Sequence, residues 1–81
     1  MQYVYLLQSK SALDQRYTGL TGDLKGRLAK HNEGGVPHTS KYRPWELQTY
    51  VAFSSREQAA EFERYLKSGS GRAFANRRLW P

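Results

Sequence analysis

Residues 23–31, DLKGRLAKH, are the stretch that decides the fold. Read as a helix with about 100° per residue, this stretch places two apolar and two basic residues within one arc about 100° wide: Leu24, Leu28, Arg27 and His31. That arc is where a helix meets the core of its protein, and a buried charge is costly unless it is paired or used. We therefore expect this helix to carry part of a functional site.

A second predicted helix, residues 55–67, repeats the pattern. Its inward arc combines apolar side chains with one carboxylate: Ala59, Phe62, Leu66 and Glu63. Glu61 falls on the opposite side of the helix, so Glu63 is the inward member of the two glutamates. Two helices thus point a polar or charged side chain toward the body of a very small protein.

Three segments predict strands. Residues 2–8 and 16–21 are rich in aromatic, aliphatic and β-branched residues and favour an antiparallel hairpin. Residues 45–53 alternate cleanly, which predicts a third strand with its odd-numbered side chains, from Trp45 to Phe53, on one side.

The ends of the later helices have local signals of their own. Ser54 with Glu57 is typical of a capping box at the start of the second helix. Gly69 and Gly71 predict its end, and residues 72–79 predict a short final helix. The resulting fold class is α/β (α+β): a small three-stranded antiparallel sheet flanked by helices, in the order β-β-α-β-α-α.

Composition limits the class of protein. The 81 residues are enough for one domain, residues 1–81, with a thin core. Thirteen Lys and Arg against seven Asp and Glu give a net charge of +6, which favours a nucleic-acid partner over an ordinary basic surface. Cysteine is absent, which excludes disulfides and thiolate chemistry. No apolar run has membrane-spanning length and no signal peptide is recognisable, so we expect a cytoplasmic protein without a membrane partner.

An ordered set of residues now carries a family resemblance. Tyr3-Val4-Tyr5 lies on the first strand, Tyr17-Thr18-Gly19 on the second, Arg27 and His31 on the first helix, and a glutamate on a later helix. This set resembles the GIY-YIG nuclease superfamily, and most of all its small standalone YhbQ-like members. Tyr3 stands where the family name has Gly, and Thr18 replaces the central Ile, but neither change removes a functional group.

The resemblance implies a metal-dependent endonuclease that hydrolyses DNA phosphodiester bonds. It assigns catalytic roles to five residues and metal binding to the last of them: Tyr5, Tyr17, Arg27, His31 and Glu63. The implied cofactor is a divalent cation, Mg²⁺ or Mn²⁺, which binds well through a single carboxylate. Arg27 offers a planar donor fork for the charge that develops on the attacked phosphate.

The general base is a tyrosine in this interpretation. A tyrosine of ordinary pKa, about 10, must have that pKa lowered before it can act as a base at neutral pH. We take Tyr5 as the base, His31 as the group that takes or relays its proton, and Tyr17 as the residue that orients water or phosphate. The Tyr5 and Tyr17 roles can be exchanged without conflict with the sequence.

Nucleic-acid contacts are expected from the loop of residues 36–44 and from the basic C-terminal part of the chain. The candidates are Lys30, His38, Lys41, Arg43, Arg72, Asn76 and Arg77. Asn76 also matches an Asn sometimes found near the C-terminus of family members. A domain this small has no room for a separate DNA-reading module, so recognition of branched, single-stranded or damaged DNA in repair or recombination is expected. A homodimer or a repair complex is compatible with the sequence.

Other interpretations stay open. The chain could be a catalytically silent, basic nucleic-acid-binding or adaptor module. Arg27 and Glu63 could form a plain salt bridge, and His31 could cap the end of its helix, where a cation is favoured. An inward carboxylate distinguishes the two functions, because it repels phosphate in a binder and is needed in a metallonuclease.

Overall fold

A computed structural model of residues 1–81 confirms the predicted order of elements. The strands and helices are β1 (Gln2–Ser9), β2 (Arg16–Thr21), α1 (Leu24–Asn32), β3 (Trp45–Phe53), α2 (Arg56–Leu66) and α3 (Gly69–Arg78), with a 3₁₀ turn at Ser40–Tyr42. The three strands form one antiparallel sheet in the order β2-β1-β3, so β1 is central and β2 is an edge strand. None of the helices has the length and apolar character needed to cross a membrane.

The central strand separates two small cores, because successive side chains of a strand point to opposite faces of the sheet. Val4 and Leu6 pack with residues of α2 and α3: Ala59, Leu66 and Ala75. Tyr5 and Leu7 face the other way and pack with Trp45, covered by side chains of α1 and of the segment before β3: Leu24, Leu28 and Tyr42. The apolar arc predicted for residues 23–31 therefore does meet the sheet, on the face that carries Tyr5.

The prediction that all odd-numbered side chains of the third strand lie on one side of the sheet is wrong. A β-bulge shifts the register, so that Leu6 pairs with Thr49 whereas the next residue, Leu7, pairs with Leu47. The extra residue reverses the direction of the side chains along the strand. Leu47 consequently packs on the Tyr5 side, and Phe53 packs on the opposite side with Val4 and Leu6.

The connection between α2 and α3 also differs from the sequence interpretation. Ser55, rather than Ser54, caps α2 by accepting a hydrogen bond from the Gln58 backbone N–H. The glycines that were expected only to end a helix also begin the next one, because Ser68 caps α3 through the Gly71 backbone N–H. Gly71 is buried, and a Cβ at this position would overlap the backbone carbonyl of Tyr65.

We expect Gly71→Ala to destabilise the protein, because the added methyl group meets backbone that cannot move without separating α2 from α3. Overpacking of this kind costs about 1–3 kcal/mol, which exceeds the gain in helix propensity of about 1 kcal/mol. Urea denaturation measures the difference. The matched control is Gly69→Ala, where nothing lies within 4 Å of the new Cβ and stability should not fall. Equal stabilities for the two variants would contradict this account of the α2–α3 turn.

Candidate active site

A buried chain of hydrogen bonds joins β1, α1 and the loop that follows α1. The Tyr5 hydroxyl lies 2.9 Å from His31 Nε2, and His31 Nδ1 lies 2.8 Å from the Thr39 hydroxyl. His31 is 0% exposed, and Tyr5 and Thr39 are each 1% exposed. Because no water reaches these groups, each must find its partner within the chain.

The direction of each hydrogen bond in this chain follows from Thr39, the residue at its end. The Thr39 hydroxyl donates its single hydrogen to the Val36 carbonyl, 3.2 Å away, so it accepts from His31 Nδ1–H. The neutral imidazole then has a bare Nε2, which accepts from the Tyr5 hydroxyl. Tyr5 is therefore a proton donor in this arrangement, and His31 is held in one tautomer.

Burial shifts the pKa values of both groups away from ionisation. It raises the pKa of Tyr5 to about 12, with the neighbouring Tyr17 adding to the rise and the positive charge of Arg27 opposing it. Burial also lowers the pKa of His31, and the charge of Arg27 lowers it further. The pair is therefore neutral at physiological pH, with the proton on the phenol.

Tyr17 and Gly19 of β2 complete the wall around this pair. The Tyr17 ring packs edge-on against His31, with ring centroids 4.9 Å apart, and lies 6.2 Å from the Tyr5 ring. Unlike Tyr5, Tyr17 is partly exposed. Gly19 pairs with Tyr5 across the sheet, and a Cβ there would overlap the Tyr5 hydroxyl. Any larger residue at this position would therefore displace the buried Tyr5 ring.

Arg27 and Glu63 are both partly buried and do not pair with each other. Glu63, whose side chain is 22% exposed, forms an ion pair with Lys67 at 3.2 Å, one helical turn along α2. Arg27 forms no ion pair. Both charges nevertheless lie near enough to Tyr5 to affect its pKa, the guanidinium lowering it and the carboxylate raising it. The salt bridge considered from the sequence is therefore not formed.

The helix-capping role considered for His31 is also absent, because its two ring nitrogens are engaged by the side chains of Tyr5 and Thr39. No cluster of three or more His, Cys, Asp or Glu side chains exists in the structure. Glu63 is therefore not part of a cluster of three or more such side chains. Even a single carboxylate such as that of Glu63 fits a hydrated Mg²⁺ ion, which keeps several waters and uses one or two carboxylates.

The predicted nucleic-acid contacts fall into two groups on opposite faces of the sheet. One group belongs to α1 and the loop after it, near Thr39: Lys30, His38, Lys41 and Arg43. The other group lies on α3, which packs on the Val4 face: Arg72, Asn76 and Arg77. All seven side chains are exposed. Asn76 accepts a hydrogen bond from Arg16 of β2 at 3.2 Å and is not in contact with the Tyr5–His31 pair.

Thr39 and Asn32 are the positioning residues that sequence reasoning missed. Asn32 accepts from the Trp45 backbone N–H at 2.6 Å and donates to the Trp45 carbonyl at 3.1 Å, which fixes the end of α1 against β3. The Trp45 indole N–H donates to the Thr39 carbonyl at 2.8 Å. The signal available in the sequence was a small polar residue in a loop long enough to return to His31, and it is a weak signal.

We expect Thr39→Val to cost about 1–3 kcal/mol of stability, because His31 Nδ1–H is then buried without an acceptor. Thr39→Ser retains the hydroxyl and is the matched control. Urea denaturation gives the stability, and imidazole ¹⁵N chemical shifts give the tautomer, which the valine variant should no longer hold. If the valine and serine variants had equal stability and equal shifts, the proposed direction of the hydrogen-bond chain would be wrong.

Stability should also depend on the protonation of His31. Its pKa is lower in the folded protein than the ordinary value of 6.5, so the unfolded chain binds the proton more tightly. The free energy of unfolding should therefore fall as the pH falls from about 7 to about 5, and the full contribution of His31 is present above its unfolded pKa. In His31→Gln this fall should be smaller. His38→Gln, which changes an exposed histidine, should behave as the wild type, and equal pH profiles for all three proteins would refute the prediction.

Comparison with known proteins identifies the family of this chain. The family described as the GIY-YIG catalytic domain matches residues 1–77. A UPF0213 protein of Streptococcus pyogenes serotype M5 is 40% identical over 72 residues, which are 88% of this chain and 76% of that protein. A UPF0213 protein of serotype M3 is 40% identical over 73 residues with the same coverage.

A solved structure shares the fold. The solution NMR structure of a UPF0213 protein from Bacillus halodurans superposes with a TM-score of 0.57 at 32% sequence identity, and the match covers 100% of this chain and 89% of that one. The family match, the relatives and the shared fold all agree with the resemblance found in the sequence. The chain therefore belongs to the GIY-YIG nuclease family, within its UPF0213 (YhbQ-like) group.

Proposed function

We propose that this protein is a divalent-metal-dependent DNA endonuclease that is directed by DNA structure or damage and acts in repair or recombination. The observation that carries the proposal is the convergence on Tyr5. Tyr17 and His31 pack against its ring, and the charges of Arg27 and Glu63 both act on its hydroxyl. Membership of the GIY-YIG nuclease family supports phosphodiester hydrolysis as the chemistry.

The two tyrosines differ in ways that favour one assignment of roles. Tyr5 is buried, has a pKa raised to about 12, and donates a hydrogen bond to His31 while keeping its proton. Tyr17 is partly exposed and faces the same side of the sheet. We therefore assign Tyr17 to the attacking water, as its orienting group or base, and Tyr5 to positioning. This is the exchanged form of the interpretation preferred from the sequence.

The remaining roles follow from charge and exposure. Arg27 makes no ion pair, so no carboxylate neutralises its charge, and its guanidinium can donate to the oxygens of the attacked phosphate, where negative charge increases in the transition state. Glu63 would hold the divalent cation. When bound there, the cation supplies Lewis-acid stabilisation of the phosphate and of the leaving oxygen. The ion pair of Glu63 with Lys67 is no obstacle, because a surface pair of this kind is worth less than about 1 kcal/mol.

A catalytically silent binding module is the second candidate function, favoured by the net charge of +6 and by basic side chains on both faces of the sheet. Glu63 argues against it. A partly buried carboxylate beside a nucleic-acid surface repels phosphate and weakens binding, unless a cation is bound to it.

Cleavage of labelled single-stranded, duplex, flapped and four-way DNA, in Mg²⁺, Mn²⁺ or EDTA, tests the proposal. Glu63→Gln and Arg27→Ala should each lower the cleavage rate about 10²–10³-fold, the usual cost of removing one group that stabilises transition-state charge. DNA binding should be retained. Glu61→Gln is the matched control, because Glu61 is an exposed carboxylate of the same helix, and its rate should equal that of the wild type.

Two outcomes would overturn the proposal. Tight binding of the whole panel without cleavage in any metal, unchanged by Glu63→Gln, would leave the binding module as the function. Cleavage that persists in EDTA and in Glu63→Gln would remove the metal from the reaction. Tyr17→Phe tests the tyrosine assignment in the same assay, since it should lose activity while its pH profile of stability stays that of the wild type.

A further inference from the structure

The face of the sheet opposite Tyr5 contains a pocket of about 320 Å³. It lies between the edge strand β2, the end of α2 and helix α3. Leu66 and Ala75, both buried, form its apolar floor, and Trp80 forms part of its wall. A pocket of this size is at the lower end of the range that proteins use for small organic ligands, about 300–1,000 Å³.

The polar lining of the pocket is positively charged. Arg16, Lys67 and Arg72 line it, and no acidic side chain does. Neither arginine forms an ion pair, and the Arg72 side chain makes no hydrogen bond within the chain. Two guanidinium groups without counter-charges at a concave site form a strong field for an anion, above all for the fork-like geometry of phosphate.

Arg16 is held in place before any ligand arrives. Its Nη1 donates to Asn76 Oδ1 at 3.2 Å, and its guanidinium carbon lies 4.6 Å from the centroid of the Trp80 ring. The single hydrogen bond uses only one of the five N–H groups of an arginine, and stacking on a ring uses none. The remaining donors are oriented without the loss of entropy that a free side chain would suffer on binding.

The apolar floor identifies the class of anion. Inorganic phosphate would satisfy the arginines and leave the surface of Leu66, Ala75 and Trp80 uncovered. A nucleotide supplies phosphate for the cations together with a flat base and a sugar for the apolar and aromatic surface. A nucleotide therefore fits both the charge and the apolar area of the pocket, whereas inorganic phosphate fits only the charge.

The pocket is next to the proposed catalytic site. Lys67 lines the pocket and is the ion-pair partner of Glu63, at 3.2 Å. Thr18 lines it too and is flanked in β2 by Tyr17 and Gly19, whose positions face the Tyr5 side. Because β2 is an edge strand, no further strand separates the two faces. A nucleic-acid strand can pass over this edge and contact both sites.

We infer that the pocket binds one nucleotide of the substrate strand beside the bond that is cut, with its phosphate on Arg16 and Arg72 and its base against the apolar floor and Trp80. This inference rests on the proposed nuclease function in making the pocket a substrate subsite. In this inference the protein recognises an unpaired nucleotide next to the cleaved bond. Flapped and branched DNA contain such nucleotides.

The test is a titration of the ¹⁵N-labelled full-length protein with thymidine 3′,5′-bisphosphate, a non-cleavable probe, followed by NMR. Saturable shifts are expected at Thr18, at Asn76 and at the Trp80 indole N–H. Arg72→Ala should weaken binding about tenfold, the loss of one charge-assisted hydrogen bond. Arg56→Ala removes the same charge from an exposed position outside the pocket and should change binding by less than about twofold.

Further arms identify the source of the nucleotide. Inorganic phosphate should bind more weakly than the bisphosphate, and the oligonucleotide dT4 should bind at least as tightly and shift the same residues. Equal binding of phosphate and bisphosphate, or shifts confined to the loop around Thr39, would overturn the inference. Binding of the bisphosphate without binding of dT4 would make the pocket a site for a free nucleotide and would equally overturn it.

These binding arms do not require cleavage, so the two proposals can fail separately. If the bisphosphate and dT4 bind as expected but no DNA is cut, the nuclease function fails and the nucleotide pocket stands. If DNA is cut, Arg72→Ala should raise KM for single-stranded or flapped DNA about tenfold with little change in kcat. Cleavage with a KM that Arg72→Ala does not alter would refute the subsite and leave the nuclease function intact.

Discussion

The hydrogen bonds of the buried imidazole of His31 are the constraint on which the rest of the structure depends. An imidazole without access to water must have both nitrogens satisfied, and its partners here are 26 and 8 residues away along the chain. One partner belongs to the central strand and the other to a loop. A helix, a strand and a loop must therefore be aligned at once. For a protein of 81 residues with two small apolar clusters, such polar links are a large part of what makes the native arrangement unique.

Because of this constraint, the two faces of the sheet have different kinds of core. The face with Val4 and Leu6 is a conventional apolar core against α2 and α3. The face with Tyr5 is a core built around hydrogen-bonding rings, and the proposed catalytic residues of the sheet lie there. The edge strand β2 contributes to both faces, because alternate residues point to opposite sides: Tyr17 toward the Tyr5 face and Thr18 toward the pocket. A site at a sheet edge, as proposed here, would let a small domain offer two contact surfaces to one extended substrate.

Much of the fold could be predicted because its signals are local. Helical phase alone put His31 on the inward arc of α1 and Glu63 on that of α2, and β2 and β3 have the predicted bounds. The features that were predicted wrongly or missed depend on contacts between distant segments of the chain. The bulge in β3 arises because Leu47 and Phe53 must serve cores on opposite faces, which no alternation within the strand can reveal. Thr39 was missed for the same reason, since only the return of its loop to α1 gives it a role.

The buried tyrosine also limits where reactivity can lie. A phenol with a pKa of about 12 that donates a hydrogen bond to a neutral imidazole keeps its proton. Burial therefore fixes the position of the Tyr5 hydroxyl but makes it unsuitable as a base at neutral pH. Reactive groups must then belong to the rim, where solvent and substrate can reach them. Lys67 lies at that rim between the two proposed sites, paired with Glu63 and lining the pocket. If Glu63 were to hold a divalent cation as proposed, Lys67 would lose its carboxylate partner, and its positive charge would be available to a phosphate in the pocket. Under the proposed function, Lys67 would therefore link the metal site to the nucleotide pocket.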